Sequence, residues 1–356
     1  MWKYFDLAII PLLVSLLATY FATPLVIRLA NKLKLVDDPK THKHPKVIHT
    51  YPVPRAGGLA LFAGVSFASL LFLPLDKHVI GILAGATILV ILGLIDDKHD
   101  LNPHLRLVVQ FIAASMPILG GIGIAFLANP FGGILDLSHP QITFNLLGQE
   151  RSLWILSDLF ALFWIVTLMN FVNIGASGLD GQLSGTVAIA AFTIALLSLR
   201  FSADITEWPV IILASIVSGA YLGFLPWHIF PQKIMPGFGG STLAGFLLGV
   251  LSILSTTKVG TLMVALSIPL IDTGFAITRR VLSGKSPFWG DRNHLHHKLL
   301  DAGLSKRQVA YFYWGITALL GTLALNLNTS HKLYTIIGVA FFVGGLLLWL
   351  TRRPKL

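Results

Sequence analysis

Long apolar runs, separated by short polar connectors, dominate this chain. A helix needs about 20 apolar residues to cross a bilayer, within a range of about 17–25. Reading for such runs gives eleven candidate spans, of which the sixth and eighth are short: 6–30, 57–75, 79–95, 106–128, 153–172, 186–199, 208–226, 242–257, 259–281, 309–328 and 333–350. Backbone groups inside a bilayer must find their partners within the protein. The sequence therefore predicts an all-α polytopic membrane protein with about eleven transmembrane helices.

Composition supports this class. Only 12% of the residues are charged, whereas about a quarter are charged in an ordinary soluble domain. The chain has no cysteine, which excludes disulfides and thiolate metal sites. Its formal net charge of +10 is explained by basic cytoplasmic loops and anionic partners, so no nucleic-acid partner is predicted. The first run is too long for a signal-peptide core and is interpreted as an anchor. We expect one membrane domain over 1–356.

The connectors also predict an orientation. With an odd number of spans, an outside N-terminus and a cytoplasmic C-terminus place 20 of the 26 lysine and arginine residues on the inner side. The residues that fall outside are Lys3, Lys77, Arg151, Arg200, Lys258 and Lys332. The positive-inside rule favours this arrangement over its reverse. We therefore expect a multi-pass protein of the plasma membrane in this orientation.

Most of the unusual polar residues then fall on the cytoplasmic side. The five inner loops are 31–56, 96–105, 173–185, 227–241 and 282–308. On the outer side, the segment 130–151 carries a Gly-Gly pair and a His-Pro turn, which predict a small hairpin. A transporter would more often carry its polar residues near mid-span. The pattern favours an enzyme that works at the cytoplasmic face.

Asp96 and Asp97 stand directly after the apolar run 79–95, and Asp100 follows one helical turn later. A charge at the end of a span is costly unless it serves water, a partner or a cation. Three neighbouring carboxylates repel one another, so a divalent metal or a cationic partner is the natural compensation. These acids predict a chemical site.

The first inner loop carries Lys46, His49 and Arg55 between prolines. These side chains could attract a phosphate group. The alternative is a polybasic segment that anchors to lipid headgroups.

The third inner loop carries two amides and an acid. Asn170 and Asn173 lie three residues apart, on one face of a helix, where they could bind a polar ring or a sugar. Asp180 lies between glycines of a tight loop. The alternative is a structural one, in which the asparagines cap a helix and Asp-Gly forms a turn.

The last inner loop combines cations, histidines and one acid, Asp291. Its cations and histidines are Arg279, Arg280, Lys285, Arg292, His294, His296 and His297. Arginine forks and histidine rings suit a diphosphate, while interfacial histidines or a loose metal pair are the alternatives. The spacing is not the HExxH pattern of a zinc site. Asp272, inside the ninth run, is interpreted as functional or as an ion-pair partner of Arg279 or Arg280.

Together these motifs resemble the polyprenyl-phosphate N-acetylhexosamine-1-phosphate transferases (glycosyltransferase family 4), over nearly the whole chain. The matching stretches are His49–Gly58 against HxxPxPRxGG, Asp96–Asp100 against DDxxD with Arg106 where a basic residue usually follows, Asn170–Asn173 and Gly178–Gly181 against NxxN…GxDG, and Asp291–His297 against DRxHxHH. The last motif resembles the branch that uses UDP-GlcNAc and undecaprenyl phosphate. Eleven spans with an outside N-terminus also fit the family.

The resemblance implies a function and a set of residues. The chain would transfer a sugar-1-phosphate, most simply GlcNAc-1-phosphate, from a UDP-sugar to a polyprenyl phosphate, releasing UMP and starting cell-envelope glycan synthesis. Asp96 and Asp97 would be catalytic, with Mg²⁺ or Mn²⁺ held by Asp96, Asp97, Asp180 and Asp291. The substrates would be bound by Lys46, His49, Arg55, Asn170, Asn173, Asp180, Arg292, His294, His296 and His297.

Two positions depart from the family pattern. Ser177 replaces the first aspartate of the third loop, next to an inserted residue, and Phe238 stands where a GDxGS motif carries a magnesium ligand. A phenyl ring cannot ligate Mg²⁺. The metal site is then rebuilt from the remaining acids, or the metal arrives with the nucleotide, or the chain is catalytically impaired.

Other functions remain open from the sequence. A transporter explains the spans but not the one-sided loops, a membrane metalloprotease explains only the His and Asp residues, and a substrate-binding pseudoenzyme explains Phe238. Apolar span faces would also permit a homodimer.

Overall fold

Helices form most of the chain in this computed structural model, which describes residues 5–40, 49–146, 149–254, 258–287 and 290–352. Short turns of π-helix (Phe5–Ile9) and 3₁₀-helix (Ile205–Glu207) precede two of the long helices. Within the described ranges the α-helices are α1 (Ile10–Lys32), α2 (Gly57–Phe72), α3 (Lys77–His99), α4 (Pro103–Leu119), α5 (Ile155–Gly175), α6 (Gln182–Leu199), α7 (Trp208–His228), α8 (Gly237–Ile253), α9 (Lys258–Ala265), α10 (Ser267–Leu282), α11 (Leu295–Asp301), α12 (Lys306–Ala324) and α13 (Thr329–Arg352).

The prediction of a mostly helical, multi-pass membrane protein is confirmed. Six helices in the described part of the chain are long and apolar enough to cross a membrane, and there are seven if the bent pair α9 and α10 is counted as one span. Shorter apolar helices are α2, α4 and α8. Each of the eleven predicted runs overlaps a helix, but the number of spans and the orientation of the termini stay predictions.

Three predicted segments differ from the structure. The run 259–281 is broken into α9 and α10, which meet at an angle of 75°. The run 106–128 is too long, because its helix ends at Leu119, before Gly120 and a Gly121 with φ of +97°. The inner loop 282–308 is not all loop, since it contains α11 and the first turn of α12.

Local sequence signals set the starts of several helices. Asp76 accepts hydrogen bonds from the backbone N–H groups of His78 and Val79 at 3.0 and 2.9 Å, which caps α3. Asn102 caps α4 in the same way, with Pro103 as the first helical residue. Ser305 and Gln308 form a reciprocal capping box at the start of α12. The caps of α4 and α12 lie at the end of the bundle that carries the polar loops.

The centre of the bundle is formed by α6, α7 and α8, and every α8 residue from Phe238 to Ile253 is buried. At the other extreme, only 11% of the α13 span is buried, and its large apolar side chains face outward. Glycine contacts bring helices close together, as small residues do in membrane bundles. A Cβ on Gly93 of α3 would lie 2.2 Å from the Cα of Gly239, and one on Gly58 would lie 2.5 Å from the nitrogen of Gly240. These crossings set the start of α8 against the ends of α2 and α3.

Short strands occur at both ends of the bundle. β1 (Val36–Asp37) pairs with β2 (Val53–Pro54) just before α2. At the opposite end, between α4 and α5, β3 (Phe126–Ala128) pairs with β4 (Ile134–Asp136), and β5 (Gln141–Leu146) pairs with β6 (Gln149–Trp154). Both of these pairs are antiparallel, and β4, β5 and the first part of β6 fall within the predicted hairpin segment 130–151.

Candidate active site

A cleft of about 710 Å³ opens at the end of the bundle where α3, α5 and α7 end and α4 and α8 begin. All five polar loops contribute to it. Its walls include ten of the predicted site residues: His49, Arg55, Asp96, Asn170, Asn173, Asp180, Asp291, His294, His296 and His297. This volume lies within the range of about 300–1,000 Å³ typical of small-molecule sites.

The other three predicted residues lie elsewhere. Asp97 is held behind the cleft wall, with a side chain that is only 2% exposed. The Arg292 side chain is 48% exposed, pairs with Asp301 at 3.6 Å and is not one of the residues that line the cleft. Lys46 lies outside the described residues.

Asp96 lies at the end of α3 and is paired with a cation. Its Oδ1 forms an ion pair with Arg106 Nε and accepts a hydrogen bond from Leu101 N–H at 3.1 Å. Arg106 Nη2 also lies 3.6 Å from the exposed Asp100. The Phe238 ring lies against the guanidinium, with Arg106 Cζ 5.1 Å from its centroid, which is cation–π distance. Arg106 is therefore held by a carboxylate and by an aromatic ring.

Asp97 joins α3 to the start of α8. Its Oδ1 accepts a hydrogen bond from Phe238 N–H at 3.1 Å and lies 3.5 Å from Arg55 Nε. A carboxylate is stabilised at a helix N-terminus by the unpaired N–H groups and the helix dipole. Arg55 is also 3.8 Å from Asp37, so it is held between two acids. Asp97 thus positions both Arg55 and the first turn of α8.

The two asparagines lie at the end of α5. Asn170 donates from Nδ2 to Gln110 Oε1 at 2.8 Å and to the Val166 carbonyl at 2.9 Å. Asn173 Oδ1 accepts a hydrogen bond from Ser241 Oγ at 2.6 Å. These bonds fix both amides while they line the cleft, so the helix-face spacing that the sequence indicated places them on one wall.

Asp180 lies in the loop between α5 and α6, 3.4 Å from Lys306 Nζ. Burial raises the pKa of Asp180, and the charge of Lys306 and its hydrogen bond only partly oppose this effect. Ser177, in the same loop, donates a hydrogen bond to the carbonyl of Asn173. A Cβ on Gly178 would lie 2.2 Å from His296 Nε2, so this loop packs directly against the histidine cluster.

A chain of hydrogen bonds orders the last polar loop. Arg280 Nε donates to Asp291 at 2.9 Å, and Arg280 Nη2 lies 3.0 Å from His294 Nε2. Because arginine only donates, Nε2 accepts, and the proton on His294 Nδ1 is donated to Asp272 at 2.9 Å. Asp272 therefore pairs with His294, and not with Arg279 or Arg280 as one reading of the sequence had it.

The negative charge of Asp291 in this loop is balanced by neighbouring arginines. Burial acts to raise the pKa of Asp291, but the Asn293 N–H and the Arg280 and Arg279 side chains outweigh it and lower that pKa to about 2. Burial, with the charge of Arg292, lowers the pKa of His297 to about 4, so this ring is neutral near pH 7. A neutral, buried ring in the cleft wall can give a phosphate a hydrogen bond without adding charge.

The arrangement does not fit a magnesium ion held by the chain. Among the described residues, no three histidine, aspartate or glutamate side chains come close enough together to hold one ion. Each acid predicted as a ligand is instead paired with a basic side chain: Asp96 with Arg106, Asp97 with Arg55, Asp180 with Lys306, and Asp291 with Arg280.

Several residues of the cleft escaped the sequence analysis. Asp37, His228 and Gln232 line it, and Lys306 reaches Asp180 from the start of α12. Arg106 was noted only through the resemblance. The capping box at Ser305 is the one local signal that could have placed Lys306 at a helix start near the polar loops.

Comparisons with known proteins identify a family for this sequence. The sequence profile described as glycosyl transferase family 4 matches residues 79–256, a stretch that contains Asp96, Asp97, Asp180 and Phe238. Over 90% of its length, the chain is 30% identical to a probable undecaprenyl-phosphate N-acetylglucosaminyl 1-phosphate transferase of Bacillus subtilis, covering 85% of that protein.

Two further relatives come from other bacteria. A decaprenyl-phosphate N-acetylglucosaminephosphotransferase of Mycobacterium leprae is 31% identical over 95% of the chain and 89% of its own length. An undecaprenyl-phosphate alpha-N-acetylglucosaminyl 1-phosphate transferase of Escherichia coli K12 is 28% identical over 89% of the chain and 84% of its own length.

Proposed function

This chain belongs to glycosyl transferase family 4, and from that premise we propose that it transfers GlcNAc-1-phosphate from UDP-GlcNAc to a polyprenyl phosphate, with release of UMP. The sugar phosphate and the polyprenyl acceptor are those named for the relatives. The product would start the synthesis of a cell-envelope glycan. The observation that carries the proposal is the convergence of five polar loops on one cleft at one end of the helix bundle, with acids, amides, arginines and histidines in its walls.

The reaction is a displacement at phosphorus. An oxygen of the lipid phosphate attacks the β-phosphorus of the UDP-sugar, a new P–O–P bond forms, and the bond between the two phosphates of UDP breaks. Since the second pKa of a phosphate monoester is near 6, the attacking oxygen already lacks its proton at neutral pH. Such a reaction needs positioning and charge neutralisation more than a strong base. Asp96 and Asp97 contribute by holding Arg106 and Arg55 against the phosphates.

Different residues of the cleft are suited to different parts of the UDP-sugar. Asn170 and Asn173, fixed by Gln110 and Ser241, are suited to hydrogen bonds with the sugar or the uracil ring. His296, His297 and Arg280 also line the cleft and are suited to the diphosphate. His294 uses both ring nitrogens within the protein, so its role is to hold Arg280 in place.

The acceptor lipid needs an apolar surface beside the cleft. A second pocket of about 310 Å³ lies between the ends of α1, α2 and α3, lined by Leu29, Ala30, Leu33, Leu35, Ala56, Leu59, Leu94, Ile95, Lys98 and His99. Ala56 lines this pocket and its neighbour Arg55 lines the cleft, so the two spaces adjoin. The first isoprene units would lie in the pocket, with the phosphate turned towards Arg55.

The proposed reaction takes place at the cytoplasmic face. The loops that form the cleft are also the loops that carry most of the basic residues, and the positive-inside rule supports a cytoplasmic position for them. UDP-sugars are made in the cytoplasm, which is consistent with this orientation. Cysteine substitutions at exposed positions of the outer strands, labelled in whole cells with an impermeant thiol reagent, would test it.

The direct test is UMP release. Protein purified in detergent is incubated with UDP-GlcNAc and undecaprenyl phosphate, and UMP and the lipid-linked sugar are both measured. We expect the two products in equal amounts, and a loss of turnover in Asp97→Asn but not in Asp136→Asn, which changes an acid on an exposed strand at the other end. Well-folded protein that releases no UMP from any of several UDP-sugars would refute the proposal.

A further inference from the structure

We propose that the Arg106 guanidinium, held between the Asp96 carboxylate and the Phe238 ring, serves as the cation of this site, and that the chain holds no divalent ion there. The inference deepens the proposed function and rests on it for its chemistry. It begins from Phe238 at the start of α8, whose side chain has no oxygen, whose N–H donates to Asp97 and whose ring lies against Arg106.

Arg106 is restrained on two sides. Its Nε forms an ion pair with Asp96, whose side chain is 2% exposed, and its Cζ lies over the Phe238 ring, 5.1 Å from the centroid. The ring is itself fixed, since Phe238 is buried and its N–H donates to Asp97. A guanidinium that is paired with a carboxylate and also lies over an aromatic ring has little freedom to leave. Arg106 nevertheless lines the cleft, where it can reach a phosphate.

A divalent ion would lack ligands at this place. Mg²⁺ demands oxygen ligands in near-octahedral geometry at about 2.0–2.1 Å. Asp96 Oδ1 is already used by Arg106 and Leu101 N–H, and Asp97 Oδ1 by Phe238 N–H and Arg55. An ion placed on either oxygen would also lie within a few ångströms of a fixed guanidinium, which repels it. One oxygen of each carboxylate is thus engaged, and the negative charge of each is already compensated by an arginine.

The same position suits a phosphate. Arginine offers several N–H donors in a planar fork that matches phosphate oxygens. Fixed donors aimed at developing charge in a dry cleft stabilise a transition state without reorganising. Arg106 and Arg55, each anchored by a buried aspartate, would therefore neutralise the diphosphate as it is cleaved. Phe238 contributes by holding the Arg106 guanidinium in its ion pair with Asp96.

Metal binding can be measured without turnover. Detergent-purified protein is titrated with Mn²⁺, and the free ion is followed by electron paramagnetic resonance. We expect no saturable site in the wild-type protein. A single saturable site that disappears in Asp97→Asn would overturn the proposal.

A reciprocal variant should create the missing metal site. In Arg106→Gln/Phe238→Asp, Asp96 loses its arginine and a third carboxylate is added beside Asp97. We expect this double variant to bind one Mn²⁺, whereas Phe238→Leu, which keeps the apolar side chain but removes the ring face, should bind none. A double variant that elutes as folded protein and binds no Mn²⁺ would show that Arg106 and Phe238 do not occupy a metal's place, and would also overturn the proposal.

Turnover gives a second, independent readout. We expect UMP release in excess EDTA to stay within about twofold of the rate with Mg²⁺, and Arg106→Gln to lose about 10²–10³-fold in either condition, the range for removing one electrostatic group. UMP release that stops in EDTA and returns with Mg²⁺ would refute the inference and leave the transferase function standing. Absence of UMP in every condition would refute the function instead, while the Mn²⁺ titration would still decide the metal question.

Discussion

Alanine at Gly237 tests whether the position of Asp97 controls turnover. Gly237 begins α8 with φ of +67°, and a Cβ built on it would lie 2.1 Å from Asp97 Oδ2 and 2.9 Å from its Cγ. Ordinary contact begins at 3.4 Å, so the carboxylate must move by about 1.3 Å. That movement breaks the hydrogen bond from Phe238 N–H and the ion pair with Arg55.

The expected effects are large enough to measure. A left-handed φ costs an alanine about 1–2 kcal/mol. Loss of a hydrogen bond to a charged group costs about 1.5–3 kcal/mol more, so the total destabilisation is about 2.5–5 kcal/mol. A displacement of about 1 Å in a reacting site lowers the rate about 10²-fold. We expect Gly237→Ala to lose UMP release by at least that factor.

Gly284→Ala is the matched control. Gly284 has φ of +68°, but a Cβ there meets nothing within 4 Å. The control therefore pays only the backbone cost of about 1–2 kcal/mol. Both variants are compared for UMP release and for thermal unfolding in one detergent. Equal rates of UMP release in the two variants would refute the reasoning that Asp97 must lie where Gly237 allows it.

Three further predictions concern other walls of the site. Gly178→Ala should lower UMP release at least tenfold with little change in unfolding temperature. The new Cβ would lie 2.2 Å from His296 Nε2, so the histidine ring would have to move. Asp272→Asn should lower the rate of UMP release. It should also lower the free energy of unfolding by about 1.5–3 kcal/mol, because the charged hydrogen bond with His294 is lost. Leu94→Trp should raise the KM for undecaprenyl phosphate and leave that for UDP-GlcNAc unchanged, because the indole would fill the apolar pocket.

Each of these has a control in the chain. Gly274→Ala adds a methyl group where nothing lies within 4 Å and should leave UMP release unchanged. Asp204→Asn changes an exposed acid at the opposite end of the bundle, and Leu70→Trp enlarges an outward-facing side chain of α2. A variant that matches its control in the stated measurement would contradict the role given to the original residue. For Leu94→Trp, an equal rise in both KM values would do so.

The sequence was sufficient for the parts of this molecule that depend on local pattern. Apolar runs predicted where helices lie, because a membrane span must satisfy its own backbone. The one-sided distribution of polar loops predicted that Asn170, Asp180 and Asp291 would meet the acids of α3, and these residues do share one cleft. Spacing along a helix also placed Asn170 and Asn173 on one wall.

The partners of these residues could not be predicted in the same way. Asp97 binds the backbone of Phe238, and Asp180 binds Lys306, across separations of 141 and 126 residues. Such pairs depend on how helices cross, and the crossing of α3 and α8 is set by the contact of Gly93 with Gly239. Hydropathy does not encode that register. It also missed the bend between α9 and α10, because both halves are apolar.

The two departures from the family pattern have the same physical consequence. Ser177 turns its hydroxyl to the carbonyl of Asn173, and Phe238 lays its ring on Arg106, so each position where an acid is usual now makes a contact inside the protein. Removal of two carboxylates from a site that keeps its arginines shifts the local balance towards positive charge. An anionic diphosphate gains from that shift, whereas a divalent cation loses by it. The substitutions therefore favour a site that binds phosphate directly, and this is the outcome that the Mn²⁺ titration and the EDTA assay separate from a metal-dependent enzyme.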